Sequence, residues 1–221
     1  MERIARPSPN HDERRGRAID MLVLHYTGMK SAEAALDRLC DPAAKVSAHY
    51  TIDEEGRIYA HVPEDRRAWH AGRSFWAGEG DINACSIGIE LVNPGHEFGY
   101  RPFAEAQIQS LIGLAKGILH RHAIVPARVL GHSDVAPARK DDPGELFPWE
   151  RLAGAGIGLW PGAGKEAVGA EALTAYGYDP DAPEEKRILA FQRHFRPQKV
   201  DGLWDAECGG RLAWLLQAAG V

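Results

Sequence analysis

Two histidines close short apolar runs. His25 follows Met21-Leu22-Val23-Leu24, and His132 follows the run from Pro126 to Leu130 and Gly131. Asp142 lies ten positions after His132, between Asp141 and Pro143. Ligands of α/β domains gather at strand ends. Two imidazoles and one carboxylate suit Zn²⁺ and leave a fourth position for water, whereas a structural zinc site is closed by four protein ligands. Three ligands therefore read as catalysis. Spacing alone leaves alternatives open. The chain carries ten histidines, and a strand-end histidine is commonly a core or surface residue. Asp141 is as able to bind as Asp142. A third acid, Glu90, stands in the apolar run Cys85 to Val92. An unpaired buried charge is costly, so a carboxylate there faces a site or a solvent edge.

These residues need a sheet to carry them. Met21 to Leu24 reads as a buried central strand, and Cys85 to Val92 as another. Ala48 to Ile52 and Arg57 to Val62 form a hairpin across Asp53-Glu54-Glu55-Gly56, and Pro126 to Leu130 gives a further strand. Ser31 caps a short helix to Leu39. Pro102 opens a longer helix with Ile108, Leu111, Ile112, Ala115, Ile118 and Leu119 at helical spacing, ending near His122. The expected fold is α/β, a mixed central β-sheet flanked by helices. Residues 1–17 read as an irregular N-terminal arm and residues 18–153 as the main domain. Glycine thickens over 154–165, which reads as a linker. Residues 166–221 hold three helical stretches, near 166–176, 183–195 and 205–218, a small three-helix domain with a marginal core of its own.

Composition excludes several classes. Net charge is −5, which argues against binding a nucleic-acid backbone. No apolar run approaches the ~20 residues of a membrane span. The start is polar, without the apolar segment of a secretory signal, so the expected location is cytoplasmic, or periplasmic or released where a signal has been removed. Cys40, Cys85 and Cys208 are odd in number and widely spaced, which disfavours a disulfide framework.

Four segments resemble one family in order: MLVLHYTG (21–28), VSAHYTIDEEGRIYAHVPEDRRAWHAG (46–72), INACSIGIELVNPG (82–95) and GHSDVAPARKDDPGELFPW (131–149). They look like the zinc N-acetylmuramoyl-L-alanine amidases, a superfamily that also holds T7-type lysozymes and peptidoglycan recognition proteins. The last segment most resembles the bacterial enzymes of peptidoglycan recycling and their periplasmic relatives. The resemblance implies one Zn²⁺ on His25, His132 and Asp142, with Asp142 chosen over Asp141. It implies Glu90 as general base and Lys140 as the cation that stabilises a developing oxyanion. Trp69, His70 and Asn83 read as lining the substrate groove: Trp69 offers a flat face, His70 and Asn83 offer hydrogen bonds. Peptidoglycan or muropeptide is the expected partner.

Leu173-x-x-Tyr176-Gly177-Tyr178, Phe191-Gln192-Arg193-His194-Phe195 and Val200-Asp201-Gly202-Leu203-Trp204-Asp205 resemble the three-helix peptidoglycan-binding domain often joined to wall hydrolases. That implies tethering near substrate. The competing expectations are a recognition module that no longer cleaves, which loss of a zinc ligand would produce, and a phage-type lysis amidase.

Overall fold

The computed structural model describes residues 2–162 and 166–221. Among these, a six-stranded sheet runs in the order β1-β5-β4-β7-β3-β8. The strands are β1 (Ile4–Ala5), β3 (Met21–Tyr26), β4 (Tyr50–Ile52), β5 (Ile58–Ala60), β7 (Ser86–Leu91) and β8 (Val129–Gly131). Strands β4, β7, β3 and β8 are mutually parallel, and the β4–β5 hairpin supplies the antiparallel pair. The expected mixed sheet flanked by helices is therefore present.

Parity along the strands assigns every side chain to a face. Leu22 and Leu24 of β3, with Ile87, Ile89 and Leu91 of β7, pack into one core. Helix α4 (Glu105–His122) covers it with Ile108, Leu111, Leu114, Ala115 and Ile118, and Trp149 and Leu152 of α6 (Trp149–Gly154) add to it. Met21 and Val23 point the other way into a second core. Burial on both faces is why these strands read as continuous apolar runs. Each buried Leu or Ile contributes on the order of 1.5–3 kcal/mol of burial free energy before chain entropy is counted.

The second core is shared with the C-terminal helices. Leu173 and Tyr176 of α7 (Leu173–Tyr176), Ile188, Phe191 and Phe195 of α8 (Glu184–Phe195) and Leu212 and Leu215 of α9 (Ala206–Ala219) pack with Met21, Val23, Trp76 and Val135. The C-terminal unit does not stand apart with a core of its own; it forms the third layer of one structure. Ser31 caps α1 (Ala32–Cys40) through Ala34 N–H, as the sequence suggests, and Asp205 caps α9 through Cys208 N–H. Of the expected linker, Gly154 ends α6 and residues 163–165 lie outside the described residues.

The first 17 residues are not an irregular arm. Ile4–Ala5 pairs with β5, and β2 (His11–Glu13) pairs antiparallel with β6 (Arg66–Ala68). Between them, main-chain bonds from Arg6 to Ala60 and from Ser8 to His61 continue the docking. Arg14 is buried and donates to the carbonyls of Glu64, Asn83, Ala84 and Ser86. Main-chain pairing leaves no apolar alternation to read, which is why the sequence pattern missed it. Helix α4 also starts at Glu105, beyond Pro102, and Pro126–Arg128 is a 3₁₀ turn before β8. No helix among the described residues is long and apolar enough to cross a membrane.

Candidate metal centre

The site lies where three parallel strands end. His25 continues the Met21–Val23 parity of β3, and its Cα partner on β7 is Glu90. On β7 the residues of that face are Ser86, Gly88 and Glu90, a small and polar stripe in an otherwise apolar strand. His132 opens α5 (His132–Val135) directly after β8. The loop that follows returns Asp142, tied by Ser133 N–H to the Asp142 carbonyl at 2.8 Å.

Three side-chain atoms converge. His25 Nδ1 is 2.9 Å from His132 Nδ1 and 3.2 Å from Asp142 Oδ2, and His132 Nδ1 is 3.1 Å from the same oxygen. All three residues are buried and could hold a metal ion. Asp141 is exposed and pairs with Arg193 at 2.9 Å, so the geometry separates the two aspartates that spacing left equal.

Hydrogen-bond direction fixes the ring protons. His132 Nε2 is 3.0 Å from the Ala71 carbonyl, which can only accept, so His132 donates from Nε2. Ser86 Oγ gives its proton to the Ile82 carbonyl at 2.6 Å and therefore accepts from His70 Nε2 at 3.1 Å. His70 Nδ1 then accepts from His25 Nε2 at 3.0 Å. Both triad imidazoles are left with Nδ1 lone pairs facing each other and a carboxylate. Three acceptors in one place call for a cation, and two imidazoles with one carboxylate match the donor set of a catalytic zinc site.

The electrostatics agree. Burial, reinforced by the neighbouring His132, pushes the His25 imidazole down to about 4, which keeps it neutral near pH 7. Burial and His25 hold His70 well below its ordinary value. Glu90 goes the other way: burial and the charge of Asp142 push its carboxyl well above the usual range, against a lowering by Lys140. Glu90 Oε2 is buried without a hydrogen-bond partner.

An open cleft of about 380 Å³ gives access; Tyr26, Trp69, Glu90, His132, Lys140 and Asp142 are among its lining residues. Glu90, Lys140 and Trp69 thus line one cleft with His132 and Asp142. His70 touches the cleft but both ring nitrogens are engaged. Asn83 is not on the cleft. It is buried, and its Oδ1 accepts the main-chain N–H groups of His70 and Ala71 at 3.1 and 2.8 Å. The substrate-groove reading of Asn83 is corrected: its acceptor is spent on the chain. Sequence reasoning missed Ser86 and the Ala71 carbonyl. The alternation Ser86-x-Gly88-x-Glu90 was the available signal for the first; the second has none, since any residue offers a carbonyl.

Comparison with known proteins points to one family. Residues 15–145 match the Amidase_2 family, described as N-acetylmuramoyl-L-alanine amidase. The chain is 43% identical to the N-acetylmuramoyl-L-alanine amidase AmiD of Escherichia coli K12, over 91% of its own length and 84% of that protein. The structure of AmiD in complex with anhydro-N-acetylmuramic acid-L-Ala-D-γ-Glu-L-Lys superposes with a TM-score of 0.82 at 41% identity, covering 95% of this chain and 91% of the other. AmpDh3 of Pseudomonas aeruginosa, in complex with anhydromuramic pentapeptide, gives 0.82 at 34% identity, covering 96% and 95%. The 1,6-anhydro-N-acetylmuramyl-L-alanine amidase AmpD of Enterobacter cloacae is 34% identical over 66% of this chain and 86% of that protein.

Proposed function

The chain belongs to the Amidase_2 family of N-acetylmuramoyl-L-alanine amidases, and from that premise we propose that it hydrolyses the amide between the lactyl group of (anhydro-)N-acetylmuramic acid and the L-alanine of the stem peptide, in turnover or recycling of cell wall. One Zn²⁺ would be held by His25, His132 and Asp142. The observation that carries this reading is the convergence of two Nδ1 lone pairs and a carboxylate beside Glu90, which is half-buried with one buried, unpartnered carboxyl oxygen. The muropeptide complexes of AmiD and AmpDh3 support the substrate class.

An amide resists hydrolysis because its carbonyl is a weak electrophile and its amine a poor leaving group. Zinc bound at the triad supplies Lewis acidity toward the carbonyl and brings the pKa of water to roughly 7. Glu90 takes the proton of the attacking water and returns it to the departing amine nitrogen of L-alanine. A carboxyl with a raised pKa is suited to both transfers near neutral pH. Lys140 places a cation where the carbonyl oxygen becomes anionic, and electrostatic stabilisation acts there on the transition state. Trp69 offers an apolar face to the sugar or peptide. The C-terminal helices would bind peptidoglycan and raise the local substrate concentration.

Mass spectrometry of purified muropeptides after incubation with the protein tests the reading. Free stem peptide and free muramyl sugar are expected. Anhydro and reducing-end substrates run side by side separate recycling from wall cleavage. Zinc binding with intact muropeptides in both arms would replace the amidase by a recognition module.

A further inference from the structure

His70 and Ala71 are consecutive, and each meets a different imidazole of the triad. His70 takes the Nε2 proton of His25, and the Ala71 carbonyl takes that of His132. One side chain holds the pair: Asn83 Oδ1 accepts both of their main-chain N–H groups. Asn83 belongs to the short helix α2 (Ile82–Cys85). The same helix supplies the Ile82 carbonyl that fixes Ser86, and through Ser86 the His70 ring. The dipeptide is thus anchored to α2 twice, once by main chain and once by side chain.

The fit around His70 is close. A Cβ on Gly88 would lie 2.4 Å from His70 Cγ, so β7 carries a glycine where the ring packs. The chain of donors runs in one direction only, because it ends on a carbonyl. Reversing it would leave two N–H groups or two lone pairs opposed inside the core, at a cost of about 1–3 kcal/mol for each unsatisfied group.

We propose that the Asn83-held dipeptide His70–Ala71 is a positioning device that fixes both histidine ligands in the Nε2–H tautomer, so that His70 and Asn83 set metal affinity. This rests on the reading of the triad as a zinc centre. Partners behind ligating histidines commonly govern metal affinity by about 10- to 100-fold. Here one dipeptide serves two ligands.

The test uses the full chain as wild type, His70→Leu, His70→Asn and Ser86→Ala. Zinc affinity is measured by chelator competition, and imidazole ¹⁵N shifts of the metal-free proteins are recorded beside thermal melts. His70→Leu removes the acceptor for His25 and should weaken zinc binding by about 10- to 100-fold. His70→Asn restores a carbonyl oxygen facing His25 and should regain most of that loss. In wild type, His25 and His132 should both carry their proton on Nε2, and His70→Leu should mix the tautomers of His25. If His70→Leu does not fold, Ser86→Ala, which loses one hydroxyl, must still show a several-fold weaker zinc affinity and mixed tautomers. Wild-type zinc affinity in the folded leucine variant, or asparagine no better than leucine, overturns the proposal. A wild type that binds no zinc yet shows pure Nε2–H tautomers would remove the zinc reading and leave the tautomer device standing; mixed tautomers in wild type would remove the device itself.

Discussion

His194 Nδ1 lies 2.7 Å from Asp134 Oδ2, both groups buried, joining α8 to the helix that opens with His132. The other Asp134 oxygen accepts the Tyr178 hydroxyl at 2.7 Å, and Oδ2 also accepts Gly131 N–H. His194 in turn stacks on Trp149, with ring centroids 3.7 Å apart. The C-terminal helices are therefore wired to the loop that carries the ligands.

The first consequence is cooperative unfolding. Tyr178→Phe deletes one hydrogen bond to a buried carboxylate, a change of about 1.5–3 kcal/mol. Urea unfolding followed by tryptophan fluorescence and by circular dichroism should give coincident single transitions, shifted to lower urea in the variant. Two separate transitions in wild type would show that the C-terminal helices fold as an independent unit.

The two adjacent aspartates should differ sharply. Asp142→Ala removes a converging ligand and should abolish zinc binding and activity together. Asp141→Ala removes an exposed partner of Arg193, a surface pair worth at most about 1 kcal/mol, and should keep both. Metal content and rates on one muropeptide check this. An essential Asp141 would contradict the site geometry.

Glu90→Gln should keep zinc and lower kcat by about 10²- to 10⁴-fold with little change in KM, the signature of a lost proton-transfer group. It also has a stability signature in the metal-free protein. Below the ordinary pKa of 4.5, Glu90 is protonated folded or unfolded and contributes nothing. Above it, the unfolded chain gives up the proton while the buried carboxyl keeps it. Stability therefore falls as pH rises, until the folded carboxyl ionises too. Glutamine removes that loss, so the variant should gain Tm at pH 7 and little at pH 4. An equal gain at both pH values would place the effect elsewhere than in ionisation.

Lys140→Met should cost about 10²- to 10³-fold in kcat, the range for losing one donor to a developing oxyanion. Zinc content should stay at the wild-type level, since Lys140 lines the cleft without joining the triad. Loss of zinc in this variant would mean a role in holding the ligand loop.

Much of this architecture was legible because burial writes periodic patterns. The apolar runs before His25 and His132 marked strands, and the 3.6-residue spacing from Ile108 to Ile118 marked α4. The family's four ordered segments chose Asp142 over Asp141, which no local pattern could do. What escaped was held by main chain. Ile4–Ala5 and His11–Glu13 join sheets through backbone pairing, and Ala71 acts through its carbonyl. Asn83 carried the right polarity for a groove, but polarity does not tell which way a side chain faces. Tyr178 and His194 read as elements of a separate small domain. Their partner Asp134 stands only two residues beyond a ligand, and long-range pairs of this kind leave no trace in local spacing.

The most direct measurement is stem-peptide release from an anhydro-muropeptide by protein stripped of metal and then titrated with zinc. The account predicts no release from the stripped protein, recovery that saturates at one zinc per chain, and no recovery for Asp142→Ala. Undiminished release by the fully stripped protein, or no release at any zinc level, would contradict it.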